Sequence, residues 1–339
     1  MSSVARPTLL ERYDALLLDL DGTVMHGGRP IPGAADGVRE ARRAGLRIAF
    51  ATNNASRTPE QTVSHLATVD VEASPGEIVS SPQIAARLLA DQVETGSAVL
   101  VVGAEGLASE IRAVGLRPVD HDSDEVVAVV QGWSPVLDWP LLAEGAYALG
   151  RGAVWVATNV DATLPTERGM APGNGAMVAS LRHATGREPQ VAGKPEPAMF
   201  TGAAARLGVR RPLVVGDRLD TDIEGANRAG IDSLLVLTGV DDTVAAFHAD
   251  PVRRPTWILP DLADLGAPRN EPEVAGATAR CGAVSARWDG EDIIVGADLE
   301  SSDARSAVLA LLAAHRAESA FTGTVRSATE GESSGHAPA

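Results

Sequence analysis

A chain of 339 residues with 45% hydrophobic but only 3% aromatic content is long enough for two or three domains and apolar enough for buried cores rather than disorder. Its net charge of −16 disfavours nucleic acid and anionic membrane as partners, and any site for a phosphorylated substrate must carry its own positive charge. The single cysteine, Cys281, excludes an intrachain disulfide and a cysteine metal cluster.

In chain order, the run Ala15-Leu16-Leu17-Leu18 is too short for a signal peptide, with Glu11 and Asp14 ahead of it. It reads as a buried strand aimed at Asp19-Leu20-Asp21-Gly22-Thr23. No stretch approaches membrane-spanning length, so a soluble, cytoplasmic protein is expected. A second strand, Arg47 to Ala51, ends at Thr52-Asn53-Asn54, and Thr58-Pro59-Glu60-Gln61 opens a helix as a capping box. Three further strands are predicted over 98–102, 126–130 and 153–157, with helices after Ala104 and from Pro140. The strand Pro212 to Val215 ends at Gly216-Asp217-Arg218-Leu219-Asp220-Thr221-Asp222, and Ser233 to Leu237 makes another.

Alternating strands and helices from residue 13 to about 265 predict an α/β protein with a parallel sheet. About 140 residues separate Thr52 from Lys194, too many for one crossover, so an α/β domain is expected as an insertion at 83–189. The first domain then comprises 1–82 and 190–266. Gly266 to Pro272 reads as a linker to a small α+β appendage at 267–321. Its expected parts are a hairpin, Gly282 to Arg287 and Asp292 to Val295, and an alanine-rich helix, Ser302 to Ala320. The remainder, 322–339, is expected to be a disordered tail.

The chemistry gathers where strands end, which is where open α/β sheets bind ligands. Asp19 and Asp21 supply two carboxylates beside a glycine turn. Asp217 and Asp222 offer further oxygens, and an oxygen-rich set suits Mg²⁺. An acidic turn or a calcium loop would share the Asp-x-Asp-Gly-Thr string, but the oxygen ligands of an EF-hand do not follow. Thr52 places a hydroxyl at a strand end. Lys194, the one lysine against 28 arginines, marks a position that requires a compact ammonium. Its Gly-Lys is followed by Pro195, which excludes a P-loop. These residues make a phosphoryl-transfer site and do not decide which aspartate attacks.

Taken in order, Asp19-Leu20-Asp21-Gly22-Thr23, Thr52-Asn53-Asn54, Gly193-Lys194-Pro195 and Gly216-Asp217 through Asp222 resemble the four motifs of the haloacid dehalogenase superfamily. Thr52 to Pro59, Ala157-Thr158-Asn159-Val160-Asp161 and Pro172-Gly173-Asn174-Gly175 resemble its NagD-like branch, phosphatases with a large inserted α/β cap. The likeness covers about residues 10–265 and implies a Rossmann-like core. It implies Asp19 as nucleophile, Asp21 as acid and base, and Thr52, Asn53 and Lys194 at the phosphoryl group. It also implies Mg²⁺ at Asp19, the Asp21 carbonyl and Asp217, with Asp222 either a further ligand or a support behind them.

In that branch the position matching Leu164, after Asp161, resembles the specificity position. A leucine there goes with phosphoglycolate or glycerol phosphate, a histidine with pyridoxal phosphate. The expected activity is therefore a phosphatase for a small phosphorylated metabolite, glycerol 3-phosphate first and 2-phosphoglycolate second. Alternatives are a pyridoxal-phosphate or nucleotide/p-nitrophenyl phosphatase of the same branch, transfer to a sugar, and a non-catalytic phosphate-ligand sensor or scaffold. A homodimer is one expected assembly.

Overall fold

The structure is a computed structural model and describes residues 6–328 apart from 56, 167 and 317. The chain falls into two compact units. The residues up to Ala49, Thr68–Val71 and those from Leu207 onward form the first; Phe50–Ala67 and Glu72–Arg206 form the second. The expected insertion, 83–189, lies wholly within the second unit, which also holds the strand Ile78–Ser80 and most of the helix Ala198–Leu207.

In the first unit the strands Trp257–Leu259, Asp232–Val236, Pro212–Gly216 and Ala15–Leu18, and the start of Arg47–Thr52, lie side by side in that order. The pairs among the first four are parallel, with Leu16 opposite Leu213 and Leu18 opposite Val215. All four residues of Ala15–Leu18 are buried, which is why this strand reads as an unbroken apolar run without alternation. Sequence reasoning passed over Trp257–Leu259, a three-residue strand preceded by Pro255.

The appendage is larger than a hairpin and a helix. Five strands run in the order Pro272–Ala275, Thr278–Cys281, Val284–Trp288, Ile293–Val295 and Val325–Ser327. Successive pairs are antiparallel except the last, which is parallel. Residues expected to close a linker begin the first strand, and residues expected to belong to a disordered tail form the fifth; of that tail, 329–339 lie outside the described residues. The helix Ser302–His315 is shorter than expected, and past its end Phe321 turns inward, 2% exposed. One buried cluster joins Ala279, Ala286, Val308, Leu311, Leu312 and Phe321 of the appendage to Leu219, Ile223, Leu235, Phe247 and Ile258. The appendage therefore shares a core with the rest of its unit.

The second unit has its own parallel sheet, ordered Gln190–Val191, Val154–Ala157, Val126–Gln131, Ala98–Val102 and Arg117–Val119. Ser81–Ala90 and Glu105–Ala113 cover one face with Ala85, Ala86, Leu89, Leu107 and Ile111. Trp139–Gly150 and Asn174–Thr185 cover the other with Ala148, Leu149, Val178 and Leu181. The edge strands are short and carry Arg117, Pro118 and Gln190, which hides them from an apolar-pattern reading. The segment around Leu164 is a strand: Thr163–Thr166 pairs antiparallel with Gly169–Pro172, and Leu164 lies opposite Ala171. No helix among the described residues is long and apolar enough to cross a membrane.

Candidate active site

Three of the predicted acids meet in the first unit. Asp19 follows the Ala15–Leu18 strand, and its N–H extends the ladder to the Val215 carbonyl at 2.8 Å. Asp217 follows Pro212–Gly216, one strand over. Asp222 lies in the wide helical turn Leu219–Ile223, where the Ile223 N–H reaches back five residues to the Arg218 carbonyl at 3.2 Å. One carboxylate oxygen from each of Asp19, Asp217 and Asp222 lies within 4.8 Å of the others, and Asp217 and Asp222 are buried.

Close approach on this side is possible because of glycine. A Cβ on Gly22, whose φ is +91°, would run into the Asp217 carboxylate, as would one on Gly239; a Cβ on Gly216 would run into Asp222. The Asp217 Oδ2 accepts from the Val240 N–H at 2.9 Å, and the Asp222 Oδ2 accepts from the Arg218 N–H at 3.3 Å. Arg218 forks onto Asp220 at 3.0 and 2.9 Å; Asp220 first, and then Asp217 and Asp222, hold its guanidinium charged beyond the usual arginine range while partial burial opposes them. Three clustered carboxylates give the oxygen-only donor set that a hard divalent cation takes, so the residues present fit Mg²⁺. The Asp21 side chain is not part of that set. It is exposed, and its Oδ1 accepts from the Gly27 N–H at 3.3 Å.

The remaining predicted residues lie in the second unit. Thr52 ends the Arg47–Thr52 strand, 7% exposed, and its Oγ accepts from the Asn54 N–H at 3.1 Å, which leaves the hydroxyl hydrogen to donate. Lys194 is 3% exposed. Its backbone is held at both polar atoms by one side chain: the Lys194 N–H donates to Asn53 Oδ1 at 2.8 Å, and Asn53 Nδ2 donates to the Lys194 carbonyl at 3.1 Å. Asn53 Nδ2 also lies 3.5 Å from both Asp161 carboxylate oxygens. Asn53 was expected at the phosphoryl group. Its side-chain amide has acceptors for both hydrogens within the unit and holds the Lys194 backbone at two points.

Two further residues of this network were given no role from sequence. Asn159 Nδ2 donates to the Asn53 carbonyl at 3.0 Å, and Asn174 Nδ2 donates to the Asn159 carbonyl at 2.7 Å. Their signal was present in the strings Thr158-Asn159 and Gly173-Asn174, which lie at a strand end and a helix start. Gly193 leaves no room for a Cβ between Asn53 Oδ1 and the Thr158 carbonyl. Leu164 is half-buried on its hairpin. A cavity of about 370 Å³ also lies in this unit, lined by Thr58, Gln83, Glu110 and Arg206 among others, and contains none of the predicted residues. Burial first, and then the charge of Glu60, hold the Glu110 carboxyl above its ordinary range.

Known proteins are similar to this chain in sequence and in fold. The model of haloacid dehalogenase-like hydrolases matches residues 16–117, and a second, HAD-hydrolase-like model matches 191–265. The D-glycerol 3-phosphate phosphatase of Mycobacterium tuberculosis is 54% identical over 258 residues, 76% of this chain and 72% of that protein. A crystal structure of the glycerol phosphate phosphatase of the same organism in complex with magnesium superposes with a TM-score of 0.80 at 44% identity, covering 95% of each chain. NagD of E. coli superposes with a TM-score of 0.68 at 30% identity, covering 74% of this chain and 98% of its own.

Proposed function

The chain belongs to the haloacid dehalogenase-like hydrolases, in their NagD-like phosphatase branch, and on that premise we propose that it hydrolyses glycerol 3-phosphate with Asp19 as the nucleophile. It is a magnesium-dependent phosphoric monoester hydrolase that works through an aspartyl-phosphate. In the proposed assignment the Asp19 carboxylate attacks phosphorus while Asp21 protonates the departing ester oxygen. Asp21 then takes a proton from water, which attacks the acyl phosphate, regenerates Asp19 and releases inorganic phosphate. Asp19, the Asp21 carbonyl and Asp217, with Asp222 as ligand or support, would hold magnesium, which would supply positive charge to offset the repulsion between carboxylate and phosphoryl oxygens. Thr52 and Lys194 are assigned to the phosphoryl oxygens by their places in the motif order.

The observation that carries the substrate is the close likeness to a relative named for D-glycerol 3-phosphate. Leu164 supports it, because an aliphatic side chain offers no hydrogen bond to a heteroaromatic leaving group. Asp161 and Leu164 are the proposed specificity residues, supplied by the 83–189 insertion. A non-catalytic sensor would have no need of a second carboxyl at Asp21, which is exposed. We place the enzyme in the cytoplasm, where its substrate class is found. Exposed Trp139 and Tyr147, one face of the Trp139–Gly150 helix, support a homodimer. The substrate is tested by comparing kcat/KM for glycerol 3-phosphate, 2-phosphoglycolate, pyridoxal 5′-phosphate and nucleoside monophosphates. Glycerol 3-phosphate is expected to lead by at least about tenfold, roughly what one or two pocket contacts contribute; preference for a ring-bearing ester would overturn the assignment and leave the phosphatase chemistry standing.

A further inference from the structure

The loop that follows the Asp232–Val236 strand carries no recognised motif, yet Thr238 to Asp241 touch all three acid-bearing segments of the first unit. Thr238 Oγ donates to the Gly22 carbonyl at 2.5 Å, between Asp21 and Thr23. Gly239 lies so close to Asp217 that a Cβ there would collide with its carboxylate. The Val240 N–H donates to Asp217 Oδ2 at 2.9 Å, although the Val240 side chain itself points to solvent and is 63% exposed. The Asp241 N–H donates to the Asp217 carbonyl at 3.1 Å, and its Oδ2 accepts from the Leu219 N–H at 2.7 Å.

We propose that Asp241 is a positioning residue for the metal site, fixing Asp217 and Asp222 relative to one another. Leu219 is the residue through which Asp241 reaches the second acid. It opens the wide turn that carries Asp222, and an N–H at the start of a helical turn has no acceptor within that turn. A carboxylate supplies that acceptor as a short, charge-assisted hydrogen bond. The same residue grips the Asp217 backbone, so one side chain and one amide link the two metal-binding acids across four residues of intervening chain. Without the carboxylate the Leu219 turn and the 238–241 loop are untied from each other. The cation would then have to order them when it binds. Partners of this kind typically contribute 10–100-fold to metal affinity.

The neighbouring acid provides an internal control. Asp242 accepts from the Ala245 N–H at 2.8 Å and caps the helix Thr243–His248, a structural role at the next position of the chain. The inference rests on the magnesium site described above, and the experiment separates the two. Magnesium binding to metal-free, substrate-free protein is measured by titration calorimetry for the wild type, Asp241→Ala, Asp241→Asn and Asp242→Ala, with thermal melts of the metal-free proteins alongside. Asp241→Ala is expected to weaken the magnesium Kd by about tenfold. Asp241→Asn keeps an acceptor oxygen of the same reach and should stay within about threefold. Asp242→Ala should melt lower with its magnesium Kd unchanged. If Asp241→Ala does not fold, Asp241→Ser, which also lacks the reach to Leu219, is judged on the same criterion. A wild type that binds no magnesium would defeat the metal site itself. A wild-type Kd in the carboxylate-less variant, or equal weakening in Asp242→Ala, would defeat the role of Asp241 alone.

Discussion

Phe321→Ala tests whether the appendage is part of the first unit's core. Phe321 is 2% exposed, and its ring stacks on His248 with centroids 5.5 Å apart, inside the cluster that contains Phe247, Ile258 and Leu312. Truncating a buried phenylalanine costs about 3–5 kcal/mol, the transfer term plus the cavity left behind. The hydrogen bond between His248 Nδ1 and the Phe321 carbonyl, 3.0 Å, belongs to the backbone and survives the substitution, so the loss is one of packing. For a unit of this size each kcal/mol lowers Tm by about 2–4 °C, which puts the expected drop at about 6–20 °C. Differential scanning calorimetry of the purified protein is the assay, with phosphatase activity below the transition as a check that the site is intact. Deleting the appendage outright is a poorer probe. It would strip the buried Arg254 guanidinium of the Leu312, Arg316 and Ser319 carbonyls and confound lost packing with an uncompensated charge. A drop below about 3 °C for Phe321→Ala would refute the shared core, since a cavity there would then cost the unit nothing.

Two further outcomes follow from the second unit. Lys194→Arg should lower kcat/KM by about 10²-fold despite keeping the charge, because a planar fork in place of a 3%-exposed ammonium displaces the phosphoryl contact by an ångström or more; steady-state phosphate release would contradict this if the variant stayed within about threefold of wild type. Glu110→Gln should raise Tm at pH 7–8 and leave it unchanged at pH 4. A carboxyl whose folded-state pKa is raised contributes stability that is present below its ordinary pKa and lost as pH rises through the raised value, so at neutral pH the charged Glu110 is a burden that the amide removes. A pH-independent effect on Tm would remove the burial argument for that carboxyl.

The parts of this protein legible in its sequence are those where one local pattern carried the whole signal. Ala15–Leu18 is buried on both faces, so its four apolar residues announce a central strand, and the acids at the ends of Ala15–Leu18 and Pro212–Gly216 could be read as neighbours from topology alone. What escaped depends on partners distant in sequence. Ile293–Val295 finds Val325–Ser327 about thirty residues away, and nothing local in Val325-Arg326-Ser327 marks it as a strand. Thr278–Cys281 buries Ala279 and Cys281, small side chains with little β preference, so its alternation is faint. In the site, composition flagged Lys194 but could not show that the Asn53 amide would be taken up by the Lys194 backbone, a contact across 141 residues. Nor could it show Gly239 and Asp241 against Asp217, because a glycine in a loop has many ordinary uses. Motif order located the chemistry, and contacts between distant segments assigned its supporting residues.

The most direct test of the central claim is to trap the covalent intermediate. Wild-type enzyme and Asp19→Asn are mixed with magnesium and glycerol 3-phosphate labelled on phosphorus, quenched in acid within the first turnovers, and digested for peptide mapping. The account predicts acid-stable, hydroxylamine-sensitive label on the peptide containing Asp19 in the wild type, and neither label nor turnover in the variant, whose amide is nearly isosteric but a poor nucleophile. Sustained phosphate release with no labelled peptide, or label on Asp21 or Asp217, would contradict it.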